Sequence, residues 1–328
     1  MIRIGIVGYG NVGKGAALAV TAAPGMELKA VFTRRNPDEI KIPDEIKIPN
    51  KNISVLSIDD AVSMKNNIDV MLLCGGSATD LPEQAPYFAS MFNTVDSYDN
   101  HTNITEYLKT VDAAAKNTTA VIAAGWDPGP FSMMRSLFES IVPDGATYTF
   151  YGKGVSQGHS DAIRRINGVK HAIQYTVPVE SAVNSVRLGN KPVLTAREKM
   201  KRDCFVVAED GANKKEIEES IKNMPHYFID YDTSVTFIKR DEFEKNHSDM
   251  PHGGMVLRSG NTGENKQIME LSLNLESNPQ FTGSIITAYA RAAYRLAGEG
   301  QYGAKTVFDI PLRYLSEKSR ETLIKELL

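Results

Sequence analysis

The sequence predicts an α/β protein: a doubly wound parallel sheet followed by a second, α+β domain. Three observations predict it. A β-branched run, Ile2-Arg3-Ile4-Gly5-Ile6-Val7, stops at Gly8-Tyr9-Gly10-Asn11-Val12-Gly13 and gives way to a proline-free, alanine-rich stretch over Lys14 to Ala23. Strand and helix patterns then alternate to about residue 128. Beyond that point separate strands with few helices between them replace the alternation.

Taken in order, the first turn is the most informative. A glycine triplet alone is a weak signal, but between a strand and a helix it is the G-x-G-x-x-G dinucleotide fingerprint of a Rossmann-type fold. Gly8 permits the tight turn, Gly10 lets a diphosphate approach the backbone, and Gly13 allows close packing of helix on strand. The helix start offers free N–H groups to phosphate. The second strand, Glu27 to Phe32, ends in Thr33-Arg34-Arg35 instead of the acid that would hold a ribose 2′-hydroxyl. Two guanidiniums and a hydroxyl can hydrogen-bond a 2′-phosphate, so the expected cofactor is NADP, although arginines at strand ends also serve simply to solvate a loop.

Residues 38–43 and 44–49 both read Asp-Glu-Ile-Lys-Ile-Pro. Two copies are too few for a solenoid, and a solvated loop is expected. Ile68 to Cys74 is a buried-strand pattern ending in Gly75-Gly76-Ser77. A helix over Glu83 to Phe92, a strand-to-loop over Asn93 to Asp99, a helix over Asn103 to Lys116 and a strand over Thr118 to Ala124 follow. In such sheets ligands bind at the C-terminal strand ends. Those ends are Gly8–Gly13, Thr33–Arg35, Cys74–Ser77, Ser97–Asp99 and Ala124–Pro128, and one cofactor could touch all five.

Residues 1–125 are thus expected to form a dinucleotide-binding domain, with the terminal helices of about 285–328 packed back on it. Residues 126–284 are expected to form a substrate-binding and dimerisation domain on one sheet. Its strands are placed at Thr147 to Tyr151, Ala172 to Val177, Cys204 to Ala208, Ser234 to Ile238 and Gly254 to Arg258, with helices at Lys215 to Asn223 and Ile285 to Gly298. Three segments are too polar and glycine-rich for packing alone: Gly125 to Gly129, Ser156 to Asp161 and Met250 to Gly254. Each could equally be an ordinary turn.

Composition narrows the function. Of 328 residues, 42% are hydrophobic and 23% charged, the make-up of a globular chain rather than a disordered one. The net charge is only −3, which argues against nucleic acid or an anionic membrane as a partner. No apolar run approaches the roughly 20 residues that span a bilayer. With no cationic leader at the start and only Cys74 and Cys204 as thiols, a cytoplasmic location is expected. The six histidines show no metal-ligand spacing, so no metal is expected. No G-x-S-x-G elbow is present, and Cys74 closes a buried strand, where cysteine acts as a small apolar residue.

The longer motifs carry a resemblance. Gly8-Tyr9-Gly10-Asn11, Cys74 to Asp80, Gly125-Trp126-Asp127-Pro128-Gly129, Ser156 to Ala162 and Met250-Pro251-His252-Gly253-Gly254 resemble the meso-diaminopimelate dehydrogenases, over essentially the whole chain. The resemblance implies an NADP-dependent homodimer that reversibly deaminates the D-centre of meso-2,6-diaminopimelate to L-2-amino-6-oxopimelate and ammonium. It implies that Tyr9, Asn11 and Val12 with the glycines bind the diphosphate, and that Thr33, Arg34 and Arg35 bind the 2′-phosphate. Cys74, Gly75, Gly76, Ser77, Ser97, Tyr98, Asp99, Ala124, Gly125, Trp126, Asp127 and Pro128 line the ribose and nicotinamide side.

On the substrate, the matching positions put Asp99 and Asp127 near the reacting amine and Gln157 and Gly158 at the carboxylate of the same centre. Thr176, Arg202, His252 and Asn278 grip the distal L-centre. Tyr151 stands where many relatives have tryptophan and supplies an aromatic wall; Asp161 lies near the substrate loop. Without the resemblance, Arg202 in Lys199-Met200-Lys201-Arg202-Asp203 reads as part of a solvated charge run, and Asn278 and His252 as turn residues. Two rivals fit the same motifs: another two-domain NADP reductase, and a non-catalytic NADP-sensing module.

Overall fold

The computed structural model describes residues 1–43, 46 and 53–328. The chain divides into two units, Met1–Met133 with Pro279–Leu328, and Met134–Asn278. The chain leaves the first unit and re-enters it within two helices, α4 (Pro130–Ile141) and α10 (Asn278–Gly298), a few residues from the expected breaks at 125 and 285.

The first unit holds seven parallel strands in the order β14-β6-β5-β4-β1-β2-β3. They are β1 (Ile2–Val7), β2 (Met26–Thr33), β3 (Ser54–Ser57), β4 (Val70–Leu73), β5 (Asn93–Asp96), β6 (Thr119–Val121) and β14 (Gly303–Lys305). The order reverses between β1 and β4, so the turns after those two strands are neighbours, and Cys74 N–H donates to Val7 O at 2.8 Å. Because both faces are covered, β4 is apolar throughout and β1 is apolar except at Arg3. Ile4, Ile6, Val70 and Leu72 pack under α1 (Asn11–Ala22) and α10. Phe32, Met71 and Leu73 pack under α2 (Leu81–Ala89) and α3 (Ile104–Ala114).

Helices α1 and α10 touch backbone to backbone. A Cβ on Gly15 would lie 2.6 Å from Gln280 Cα, and one on Gly283 2.3 Å from Ala16 N. This contact explains why α10 starts seven residues before the expected Ile285: Pro279 sits in its first turn, where a missing N–H is harmless, and Gly283 is kept for the crossing. Helix α2 likewise starts earlier than expected because Pro82 lies in its first turn. Ile40 and Ile42 of the first hexapeptide copy, and Ile46 of the second, pack against the α1 side of the sheet, so this stretch is not simply solvated. The rest of the second copy lies outside the described residues.

The second unit holds two sheets where one was expected. One has the order β11-β10-β9-β8, the other β13-β12-β7. The strands are β7 (Gly145–Tyr151), β8 (Gly154–Val155), β9 (Val169–Pro178), β10 (Met200–Ala208), β11 (Asp232–Phe237), β12 (His252–Thr262) and β13 (Asn265–Leu275). Ser156 to Asp161, expected as a loop, is mostly helix: α5 (Gln157–Arg164) buries Ile163 against β9 and β10. Helices α6 (Glu180–Arg187), α7 (Ala196–Lys199), α8 (Lys214–Lys222) and α9 (Arg240–Asn246) complete this unit, and α11 (Arg320–Leu327) closes the chain.

Candidate active site

The rim of the first unit's sheet is cross-linked loop by loop. Gly13 starts the series: its Cβ would lie 2.0 Å from Gly8 O, so only glycine lets α1 begin this close to β1. Among the described residues, no atom beyond its chain neighbours lies within 4 Å of a Cβ on Gly10, where a diphosphate would approach. Asn11 is exposed in the first turn of α1, Val12 half-buried against the core, and the Tyr9 ring is buried in it. Tyr9 instead offers its carbonyl, which accepts from Arg35 Nη2 at 2.8 Å. Thr33 Oγ1, buried at the end of β2, accepts from Arg35 N–H at 3.0 Å. Arg34 reaches Asp80 (Nη1 to Oδ1, 2.9 Å), whose other oxygen accepts from Gly76 N–H at 2.9 Å. Ser77 Oγ accepts from Asp99 N–H at 3.2 Å.

Asp96 makes the last link. It is fully buried at the end of β5, and its Oδ1 accepts from Tyr98 N–H and Ala123 N–H, both at 2.9 Å. Its Oδ2 accepts from Tyr107 OH at 2.8 Å, and its carbonyl accepts from Ala124 N–H at 2.8 Å. Ala123 sits at φ +53°, a left-handed conformation that L-residues avoid, and these charge-assisted bonds hold it there. The loops carrying Ser97 to Asp99 and Ala124 to Pro128 are thereby joined. Within them Tyr98 stacks on Tyr107 with ring centres 3.9 Å apart, and Trp126 meets Phe131 edge-on at 5.2 Å, so both rings are mainly packing. Asp99 is exposed and Asp127 half-buried. Burial pushes the Cys74 thiol up to about 12, which removes it as a nucleophile.

In the second unit a chain of neighbours gathers four of the expected residues. Thr176 on β9 is the register partner of Gly154 on one side and of Arg202 on the other. Arg202 is buried, not part of a solvated charge run, and donates through Nη1 to Thr176 Oγ1. Its guanidinium lies 3.9 Å above the Tyr231 ring, and its Nε has no hydrogen-bond partner. Burial pulls the pKa of Arg202 down. The His252 ring packs on Gly154, where a Cβ would come within 2.6 Å of it. His252 opens β12, and Asn278 N–H donates to Met250 O at 3.0 Å just before it.

Gln157 and Gly158 are exposed in the first turn of α5. His159, behind them, is held neutral with its pKa lowered to about 4 by burial and by the charge of Arg202, and its Nδ1 lies 2.7 Å from Ser156 Oγ. Asp161 pairs with Arg164 on the same helix. Tyr151 is half-buried at the end of β7.

Over its full length the chain is 59% identical to the meso-diaminopimelate D-dehydrogenase of Ureibacillus thermosphaericus, of which it covers 99%. The chain belongs to the meso-diaminopimelate D-dehydrogenase family. Residues 125–277 match the family described as diaminopimelic acid dehydrogenase C-terminal domain. Among solved structures, a six-substitution mutant of the Clostridium tetani E88 meso-diaminopimelate dehydrogenase, crystallised with diaminopimelate, superposes with a TM-score of 0.92 at 51% identity, each chain covered completely. An engineered D-amino acid dehydrogenase bound to NADP+ superposes at 0.85 and 40% identity, over 100% of this chain and 99% of its own.

In this member of the meso-diaminopimelate D-dehydrogenase family, sequence reasoning passed over two residues that the rim depends on. Asp80 stood within the Cys74 to Asp80 motif yet received no role. Asp96 lies within the expected strand-to-loop of Asn93 to Asp99, with no role of its own. A charged residue ending an apolar strand is the signal that could have found it, since a buried carboxylate needs several donors around it.

Asp96 also makes a pH prediction. Burial pushes its pKa up to about 6, in spite of its three hydrogen bonds, against 3.8 for a free side chain. The folded state therefore holds this proton more tightly than the unfolded one, and the contribution is fully present below pH 4 and lost as pH rises through about 6. The shift corresponds to about 3 kcal/mol across that window. Asp96→Asn should remove the trend, so urea unfolding of wild type and variant should diverge from pH 4 to pH 7, with wild type losing ground. Parallel curves would show that Asp96 does not titrate there.

Proposed function

We propose that the chain is an NADP-dependent meso-2,6-diaminopimelate D-dehydrogenase. It reversibly converts the D-centre to L-2-amino-6-oxopimelate, with release of ammonium, in the lysine/diaminopimelate pathway, and works as a cytoplasmic homodimer. No helix among the described residues is long and apolar enough to cross a membrane. The observation that carries the reading is Arg202, a buried guanidinium with no carboxylate partner among the described residues. A buried cation is costly unless an anion completes it, and the distal carboxylate of the substrate is that anion.

NADP fits the first unit on its own geometry. The Gly13 contact admits no side chain, the space beside Gly10 is open, and Arg34 and Arg35 are exposed at the end of β2. The glycines and the first turn of α1 hold the diphosphate, and Thr33, Arg34 and Arg35 the 2′-phosphate. Bound NADP supplies the hydride acceptor.

The remaining work falls to side chains. Asp99 and Asp127 hold the ammonium of the D-centre, and Gln157 and Gly158 its carboxylate. Thr176, Arg202, His252 and Asn278 hold the distal centre, and Tyr151 supplies an aromatic wall. Hydride leaves the α-carbon only once the nitrogen is neutral, so a proton must first pass to Asp127 or through it to water. Orientation of the α-hydrogen is the larger factor. Because both ends are held by charge, exchanging the two centres leaves buried charges unpaired, and this is the source of stereoselectivity.

The test is NADPH formation by purified protein on separated meso-, LL- and DD-diaminopimelate, with NAD as control. Turnover of the meso isomer with little on LL, dependent on NADP, is expected. Tight NADP binding with no turnover of any isomer would overturn the substrate and leave the cofactor.

A further inference from the structure

Among the buried polar side chains of the second unit that the proposed chemistry does not use, Gln174 is the one bonded to a residue assigned to the substrate. Gln174 lies on β9, two residues before Thr176 and on the same face of the strand, and it is fully buried. Its main chain anchors the start of α5: its carbonyl accepts from Ser156 N–H at 3.0 Å, and its N–H donates to Ser160 Oγ at 3.0 Å. Its side chain does something different. Nε2 donates to Thr176 Oγ1 at 3.4 Å, the oxygen that also accepts from Arg202 Nη1.

A threonine hydroxyl has two acceptor lone pairs and one hydrogen. Here both lone pairs face donors. The guanidinium can only donate, and the carboxamide presents its NH₂. The hydroxyl hydrogen of Thr176 must therefore point away from both, as a donor. We propose that Gln174 is a specificity-determining residue that fixes the Thr176 hydroxyl as a donor and so commits the Thr176–Arg202 pair to a carboxylate.

The surroundings favour the same ligand charge. Facing the guanidinium are Tyr231, which covers it with its ring, and His159, which is neutral. Cys204, the register partner of Gln174, is a thiol pushed up to about 12 by burial. Neither the histidine nor the thiol is an anion at neutral pH. Two polar atoms of the group, Gln174 Oε1 and Arg202 Nε, are buried without a hydrogen-bond partner among the described residues. A glutamate at position 174 would reverse the arrangement: it would accept the Thr176 hydrogen and neutralise Arg202 itself, leaving neither for a ligand.

The inference rests on the proposed function for the identity of the ligand, so the test separates the two. NADP-loaded protein is titrated with pimelate, the same carbon chain without the amines, by calorimetry. Gln174→Glu should weaken pimelate at least 30-fold, and Gln174→Met, which removes the donor without adding charge, three- to tenfold. The affinity for NADP should not move in either variant. In turnover, the preference for meso-diaminopimelate over D-norleucine, which lacks a distal carboxylate, should narrow in both variants, whereas general damage to the fold would lower both substrates alike. Equal pimelate affinity in wild type and Gln174→Met overturns the inference, whatever the glutamate variant does. Pimelate binding that depends on Gln174 in a protein inactive on diaminopimelate supports the inference and overturns only the assigned reaction.

Discussion

Arg202→Met should lower kcat/KM for meso-diaminopimelate by about 10²–10³ while leaving the unliganded protein as stable as before, or more so. Removing one partner of a desolvated, hydrogen-bonded charge pair costs a complex about 3–4 kcal/mol, which is the fold-change expected here. The unliganded protein is in the opposite position. Arg202 is buried against Tyr231 with no carboxylate beside it, and an apolar side chain of similar length removes a charge that the fold keeps dry. The melting temperature should therefore hold or rise, and simpler D-amino acids should be turned over more readily than by wild type. Unchanged kinetics would take Arg202 out of the site. A clear fall in melting temperature would mean that the guanidinium serves the fold instead.

The second large effect is expected at the end of β2. Replacing Arg34 and Arg35 together by alanine should reduce the preference for NADP over NAD by about 10² or more, since each hydrogen bond to a charged group contributes about 1.5–3 kcal/mol. The two arginines should not behave alike. Arg35 holds the Tyr9 carbonyl, next to the diphosphate turn, so its loss should weaken NAD as well as NADP. Arg34, itself exposed, is tied among the described residues to Asp80, away from the diphosphate turn, and should affect NADP alone. Dissociation constants of both cofactors for each single variant read this split directly. Equal efficiencies of wild type with the two cofactors would dispose of the 2′-phosphate argument.

Much of the first unit was legible in the sequence because its signals are local. Strand, glycine turn and helix follow one another within about twenty residues, and the five loops lie at strand ends whose order the alternation fixes. The cross-links between loops were not legible, because they join residues far apart in the chain: Arg34 with Asp80, and Asp96 with Ala123. The second unit shows the opposite error. Strand β13 carries a clear period of two through Met269, Leu271, Leu273 and Leu275, the first three half-buried and the last buried, but the polar residues between them mask it in the sequence. Helix α5 was hidden by Gln157, Gly158 and His159, residues that suit turns, whereas the burial of Ile163 against the neighbouring sheet decides its conformation. Arg202 lies in a run of charges that reads as solvated. Only its pairing across the strands with Thr176 turns it inward.

The backbone contact of α1 with α10 has a consequence for how the protein comes into being. The first unit is finished only by residues after 278: α10 covers one face of its sheet, and β14 completes the edge beside β6. During synthesis the nucleotide-binding half therefore starts first and finishes last, while the second unit, a single continuous segment, has all its residues before α10 is made. A fragment ending at residue 133 would leave Ile4, Ile6 and Leu72 covered on one side by α1 without α10, and would aggregate instead of binding NADP. For the same reason the cofactor domain cannot be borrowed for engineering by a simple cut; the last fifty residues have to travel with it.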